Sequence, residues 1–331
     1  MIDNLVFKPT KLTELTKPSK PIKPSKPTKP SKPSLYLPLM KKSFLQLHMA
    51  VFLAGFTAIL GKLIELNEGW LVWFRLLLTL LILGGWMAWR KEMKRIAWKD
   101  FFRIAGVGLI IALHWVTFYG SVKYANVSVA LVCLSASGFF TSILEPLITR
   151  TKIILAETLL GLLAIIGIYI IFDFHPEYKL GIVFGIVCAI GSSLFPIFNR
   201  QLVQRFPPRL LTFYEFGGGL ILLSLLLPFY FTQFPASYFL PSSSDWAWLL
   251  VLAFFCTVIG FELQLRSLQK ISAFTANLTY NLEPLYGIIL AFIFFDERKL
   301  LHQQFYIGLS LIVLAIVLQM CRVLWKAKRQ Q

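Results

Sequence analysis

The chain has 331 residues, 57% of them hydrophobic and 15% charged, with a mean hydropathy of +0.69 and a net charge of +17. A soluble chain interleaves polar with apolar residues, whereas here the apolar ones gather into runs of about 20, the length of a helix that crosses a hydrocarbon core. Lys and Arg are spread over many short segments and form no single stripe, which argues against a nucleic-acid partner.

In chain order, the amino-terminal stretch 17–34 comes first, where Lys-Pro pairs recur every three residues. Proline at that density opposes helix, and the period matches polyproline II with lysines along one edge. A disordered extension without a role accounts for it; contact with anionic lipid headgroups is the functional alternative. Met40-Lys41-Lys42 directly before the first apolar run resembles a natural start, so translation beginning at Met40 is an expectation that intact-mass measurement would decide. Ten apolar runs follow, at about 43–63, 70–89, 102–122, 125–148, 153–172, 180–199, 210–231, 246–265, 273–295 and 304–324.

The expected fold class is an all-α polytopic membrane protein of ten transmembrane helices arranged as two inverted five-helix repeats. With both termini in the cytoplasm, 19 Lys and Arg fall on inward segments, the amino-terminal tail not counted, and five on outward ones, the positive-inside asymmetry of an integral membrane protein. The plasma (inner) membrane is the expected location. The domains read as a disordered cytoplasmic tail at 1–39, repeats at 40–173 and 174–325, and a basic cytoplasmic end at 326–331.

The repeat is visible in the residues. A shift of 146 lays 121–140 over 267–286, so that Ser121 meets Ser267, Ala130 meets Ala276, Ser135 meets Asn281 and Gly138 meets Pro284. Five spans per half is an odd number, so the second copy enters the membrane from the opposite side. Inverted repeats are typical of secondary transporters, which bind solute near the bilayer midplane between the copies.

The run pattern, Gly55 to Lys62 ending the first run, Arg75 early in the second, and the stretch 130–146 with its counterpart 276–297 together resemble the EamA-type members of the drug/metabolite transporter superfamily. The resemblance covers about 40–325. It implies two five-helix halves forming a ten-helix carrier for small organic solutes such as amino acids and related metabolites. Glu145-Pro146 departs from the pattern, falling later in the fourth run than Pro284 does in the ninth, so the halves are not equivalent.

Depth decides which polar residues matter, because a charge at the bilayer centre costs about 2.5–3.5 kcal/mol on insertion scales while one near the interface can snorkel. Glu145, Glu157, Glu215 and Glu262 lie near run ends and are expected in structural ion pairs, Glu262 with Arg266 at i, i+4. Arg75 either pairs with a carboxylate or snorkels outward. Glu283 falls midway along the ninth run, where a carboxylate can bind an ammonium group, exchange a proton or lock helices together. Pro284 frees the carbonyl of Tyr280 to face a ligand or permit bending, and Pro196 marks a similar bend. Asn277, Tyr280, Asn281 and Glu283 therefore form the best candidate surface, with His114, Trp115, Tyr119 and Ser135 contributed by the first half. Mere kinking and packing roles remain the alternative for each.

The cavity is expected between the third, fourth, eighth and ninth runs, with parts of the first and sixth. Its partners are a small-molecule solute, membrane lipids and a coupling proton or other ion; oligomeric state is not encoded legibly. No cofactor or metal is expected. His48, His114, His175 and His302 are scattered, and Cys133, Cys188, Cys256 and Cys321 occupy separate runs as small apolar side chains. No Walker motif appears, so any driving force is a solute or ion gradient. A membrane-embedded enzyme and a non-transporting scaffold are the rival classes.

Overall fold

A computed structural model describes residues 33–173, 176–235, 239–271, 276, 279–280, 282–296 and 302–329. Helices dominate, and no strand occurs among the described residues. The helical body begins at Leu39.

The first half contains α1 (Pro33–Leu63), α2 (Glu68–Trp89), α3 (Trp98–Tyr124), α4 (Val127–Leu134), α5 (Ser137–Thr149) and α6 (Leu155–Asp173). After a 3-10 turn, Pro176–Tyr178, the second half contains α7 (Lys179–Leu202), α8 (Pro208–Gln233), α9 (Ser243–Val251), a π-helical segment Leu252–Ile259, α10 (Gly260–Leu268), α11 (Leu282–Phe295) and α12 (Gln303–Arg329). Seven stretches are long and apolar enough to cross a membrane, and three shorter apolar helices, Leu155–Ile170, Leu282–Phe295 and Gln303–Ala315, accompany them. Among the described residues each apolar run thus contains helix.

Local chemistry sets the ends. The Asn67 side chain accepts from Gly69 N at 2.8 Å and Asn126 from Val129 N at 2.8 Å, each satisfying an otherwise orphaned donor at a helix start. Ser242 and Asp245 form a reciprocal capping box before α9. One boundary departs from the sequence reading: the backbone is already helical from Pro33, inside the stretch expected to be a non-helical tail. A proline is tolerated there because the first turn has no intrahelical acceptor for its missing N–H.

Two runs read as uniform helices are interrupted. The fourth divides at Ser135 and Ala136 into α4 and α5, and the Ser135 hydroxyl donates to the Val132 carbonyl at the break. The eighth widens into the π segment, where the Thr257 hydroxyl donates to the Leu252 carbonyl five residues back at 2.9 Å.

Pairing of the two halves follows an exchange pattern. α2 packs on α8 and α6 on α12, while α3 packs on α7 and α8 and α2 packs on the π segment. α4 and α5 pack on α7, as α11 packs on α1 through Gly55 and Gly287. Small residues permit the closest approaches. A Cβ at Gly108 of α3 would stand 1.8 Å from the Glu215 carbonyl oxygen of α8, and one at Gly167 of α6 would stand 2.6 Å from the Gly308 oxygen of α12.

Candidate functional site

Where these helices converge they enclose a cavity of about 60 Å³, lined from seven elements: α1, α2, α3, α4, α7, the π segment with α10, and α11 with the residues preceding it. Its polar lining comprises Thr57, Arg75, His114, Ser192, Gln264, Tyr280 and Glu283, set among Trp115, Phe118, Phe195 and Phe261. By volume it admits a few water molecules, each needing at least about 10–15 Å³, and is far smaller than the roughly 300–1,000 Å³ of a typical ligand pocket.

Arg75 organises one wall. At 2% exposure it neither snorkels nor joins a carboxylate within 4.0 Å among the described residues; instead Nε donates to Thr257 Oγ1 at 2.9 Å and a terminal nitrogen donates to the Tyr119 hydroxyl at 2.8 Å. Its guanidinium lies 3.5 Å from the centre of the Trp115 ring, a cation–π contact worth about 2 kcal/mol once desolvated. The π segment makes this arrangement possible, because Thr257 is held by its own hydrogen bond to Leu252 while accepting from Arg75. Glu283 is buried in the first turn of α11 and faces the same cavity, interacting with Arg75 through space.

His114 Nδ1 lies 2.9 Å from the Cys188 carbonyl oxygen, which can only accept, so Nδ1 carries the proton and Nε2 is the ring's acceptor when the imidazole is neutral. The ring also contacts Cys188 Sγ at 3.2 Å and Phe195. His114 and Glu283 share the cavity, but no hydrogen bond or ion pair joins them.

Among the expected site residues, Glu283, Tyr280, His114 and Trp115 line the cavity, and Tyr119 touches it through Arg75. Ser135 does not line it; its hydroxyl is spent at the α4–α5 break. Asn277 and Asn281 lie outside the described residues. Pro196 is accommodated within α7, which continues through it, and Pro284 sits in the first turn of α11. The two prolines share one consequence: each lacks the N–H that would bond the carbonyl four residues back, and those carbonyls belong to Ser192 and Tyr280, both cavity-lining.

Sequence reasoning passed over Thr57, Ser192 and Gln264 as lining residues and left Arg75 without its partners. The repeat accounts for Gln264 among them. Under the shift of 146, His114 and Gly260, Trp115 and Phe261, Phe118 and Gln264, and Leu134 and Tyr280 are repeat mates, and both members of all four pairs line the cavity.

The expected end-of-helix ion pairs form for Glu262, which bonds Arg266 at 2.9 Å and Arg209 at 3.0 Å, and for Glu157 with Arg322 at 3.2 Å. Glu215 corrects the expectation. It is 0% exposed, makes no ion pair among the described residues, and neither carboxylate oxygen has a hydrogen-bond partner. Asn199 of α7, also 0% exposed, is close enough to interact with it, although its amide atoms make no hydrogen bond of acceptable geometry either. Among the described residues no group of three or more His, Cys, Asp or Glu side chains is arranged to hold a metal ion.

Apolar helices of membrane-crossing length around a buried charged cavity define a polytopic integral membrane protein. The profile of the EamA-like transporter family matches residues 41–173 and again 179–320, so the chain belongs to that family and is a membrane transporter. It is similar to an uncharacterized transporter of Archaeoglobus fulgidus, 24% identical over 217 residues that cover 65% of this chain and 75% of the relative. An uncharacterized transporter of Clostridium kluyveri is 20% identical over 296 residues, covering 84% and 93%. The uncharacterized transporter YetK of Bacillus subtilis is 27% identical over 188 residues, 54% of this chain and about half, 56%, of its own length. A solved structure described only as the crystal structure of a protein shares the fold, with a TM-score of 0.61 and 16% identity over 83% of this chain and 96% of that one.

Proposed function

We propose that the chain is a secondary carrier, independent of ATP, that moves a small organic solute by alternating access through the central cavity. The observation that carries this reading is the shared lining: four pairs of repeat mates meet around one small space. Residues related by a two-fold operation meet in this way only near the axis, as in any isologous contact. The exchanged pairings, α4 and α5 on α7 against α11 on α1, support the same relation. With five spans in each half, 40–173 and 174–325, that axis lies in the membrane plane and the halves are inverted. Ten helices then cross the bilayer, the three shorter apolar ones included, with both termini in the cytoplasm of a cell whose plasma membrane holds the carrier.

A cavity of about 60 Å³ fits an occluded state, so the halves must part to admit solute from either side. Arg75 suits a carboxylate, Glu283 suits an ammonium group, and Trp115, Phe195 and Phe261 suit apolar surface between or beside them. Amino acids and related zwitterionic metabolites combine those features. His114 Nε2 and the freed carbonyls of Ser192 and Tyr280 add acceptors, and Glu283 is the group best placed to carry a coupling proton. Asn277, Asn281 and Tyr119 complete the candidate set, Tyr119 by holding Arg75.

Purified protein reconstituted in liposomes and supplied with labelled amino acids tests the proposal. Solute movement without chemical conversion supports the carrier; conversion favours a membrane-embedded enzyme, and neither movement nor conversion for any ligand that raises the melting temperature favours a scaffold.

A further inference from the structure

We infer that the chain holds one anionic phospholipid in a crevice between the basic ends of α3 and α7, separate from the central cavity. The two helices run antiparallel and pack tightly over most of their length. A Cβ at Gly120 would stand 3.1 Å from the Phe184 ring, and one at Gly191 would stand 2.8 Å from the His114 Cβ. Toward the start of α3 they separate and leave a crevice of about 550 Å³. Its inner part is apolar, formed by Gly106, Ile110 and Phe198, and its mouth is polar, formed by Arg103, Arg205 and Gln201.

That division matches a phospholipid. The apolar part lies further along both helices from the charged end, as an acyl chain lies beyond its headgroup, and a Cβ at Gly106 would meet nothing within 4 Å, so the groove there is open. Trp98 and Phe102, 76% and 68% exposed on the first turns of α3, mark the headgroup level in the manner of interfacial aromatic belts. Arg103 follows at once, on the exposed side of the helix. Arg205 reaches the same mouth from the α7–α8 link and is steadied by Asp100 at 3.2 Å. Asp100 offsets one of the two positive charges, yet Arg90, Lys91, Lys94, Arg95 and Lys99 precede Arg103 at the same end of α3, so the mouth stands in a positive field. Planar guanidinium groups bind phosphate oxygens in pairs, which favours a phosphodiester headgroup over a neutral one.

The test uses the full chain extracted from bilayers of equal phosphatidylglycerol and phosphatidylcholine with identical acyl chains. Lipid retained on the protein is read by native mass spectrometry. Phosphatidylglycerol is expected to be retained at least about fivefold over phosphatidylcholine, from roughly a fivefold preference per surface arginine. The double variant Arg103→Gln, Arg205→Gln should bring the ratio near one with the melting temperature of the lipid-free protein unchanged. Gly106→Leu, which fills the open groove, should lower retention of both lipids. Equal retention by the wild type, an unchanged ratio in the double variant, or displacement of the lipid by millimolar inorganic phosphate would each overturn the inference, the last by marking a site for free anions.

Discussion

Arg75 and Glu215 are each the eighth residue of their helices, α2 and α8, which are the second long helices of the two halves and pack against one another. Both are buried, yet they were solved differently. Arg75 has a hydroxyl on each side and an aromatic face beneath it, whereas Glu215 has no hydrogen bond at either oxygen. Two helices that pack against one another thus bury charge in different ways, and the satisfied charge is the one that faces the central cavity.

Replacing Arg75 should break this comparison most severely. Arg75→Gln leaves Tyr119 and Thr257 without their charged donor at a buried position, so a loss of about 2–4 kcal/mol is expected in chemical denaturation, with solute flux abolished. Glu283→Gln should lower flux at least tenfold, about 1.4 kcal/mol in barrier, or remove its dependence on pH, while the melting temperature stays within a few degrees. Wild-type flux at every pH would remove Glu283 from the mechanism.

Packing around Glu215 offers a sharper contrast with its side chain. Gly108→Ala drives a methyl group into the Glu215 carbonyl and should cost about 1–3 kcal/mol, whereas Gly85→Ala, whose Cβ would meet nothing within 4 Å, should be neutral or slightly stabilising. Glu215→Leu should leave stability within about 1 kcal/mol of the wild type, because the gain in apolar surface is offset by leaving the buried Asn199 amide without its polar neighbour. A large loss would mean that the Glu215 carboxyl contributes through Asn199 after all. Arg209→Ala, at the partly exposed cluster with Glu92 and Glu262, should change the denaturation midpoint by less than about 1 kcal/mol.

Much of the helical layout was legible because it depends on single segments. A run such as 102–122 must form a helix if it enters lipid, since the bilayer supplies no partner for its backbone groups. The repeat was legible too, as weak similarity between 121–140 and 267–286. Glu283 and His114 stood out because charge and imidazole are expensive in apolar runs. The fate of Arg75 was not legible: the choices weighed were a carboxylate or the interface, and the structure supplies Tyr119 from 44 residues away and Thr257 from 182. Nor was the π segment, whose value lies in aiming Thr257 at a partner on another helix. Ser135 lies outside the cavity lining, and a stripe of small polar residues serves equally well to line a cavity or to let two helices approach closely.

By itself the sequence determined that this protein lives in a membrane, where its helices run, and that its two halves share an origin, since all three follow from local hydrophobicity and internal likeness. Tertiary structure alone decided which polar groups meet. Burial and hydrogen bonding of a side chain depend on helices far apart in the chain, which is why Arg75 is hydrogen-bonded to Tyr119 and Thr257 while the equally buried Glu215 has only the neighbouring Asn199 and no hydrogen bond.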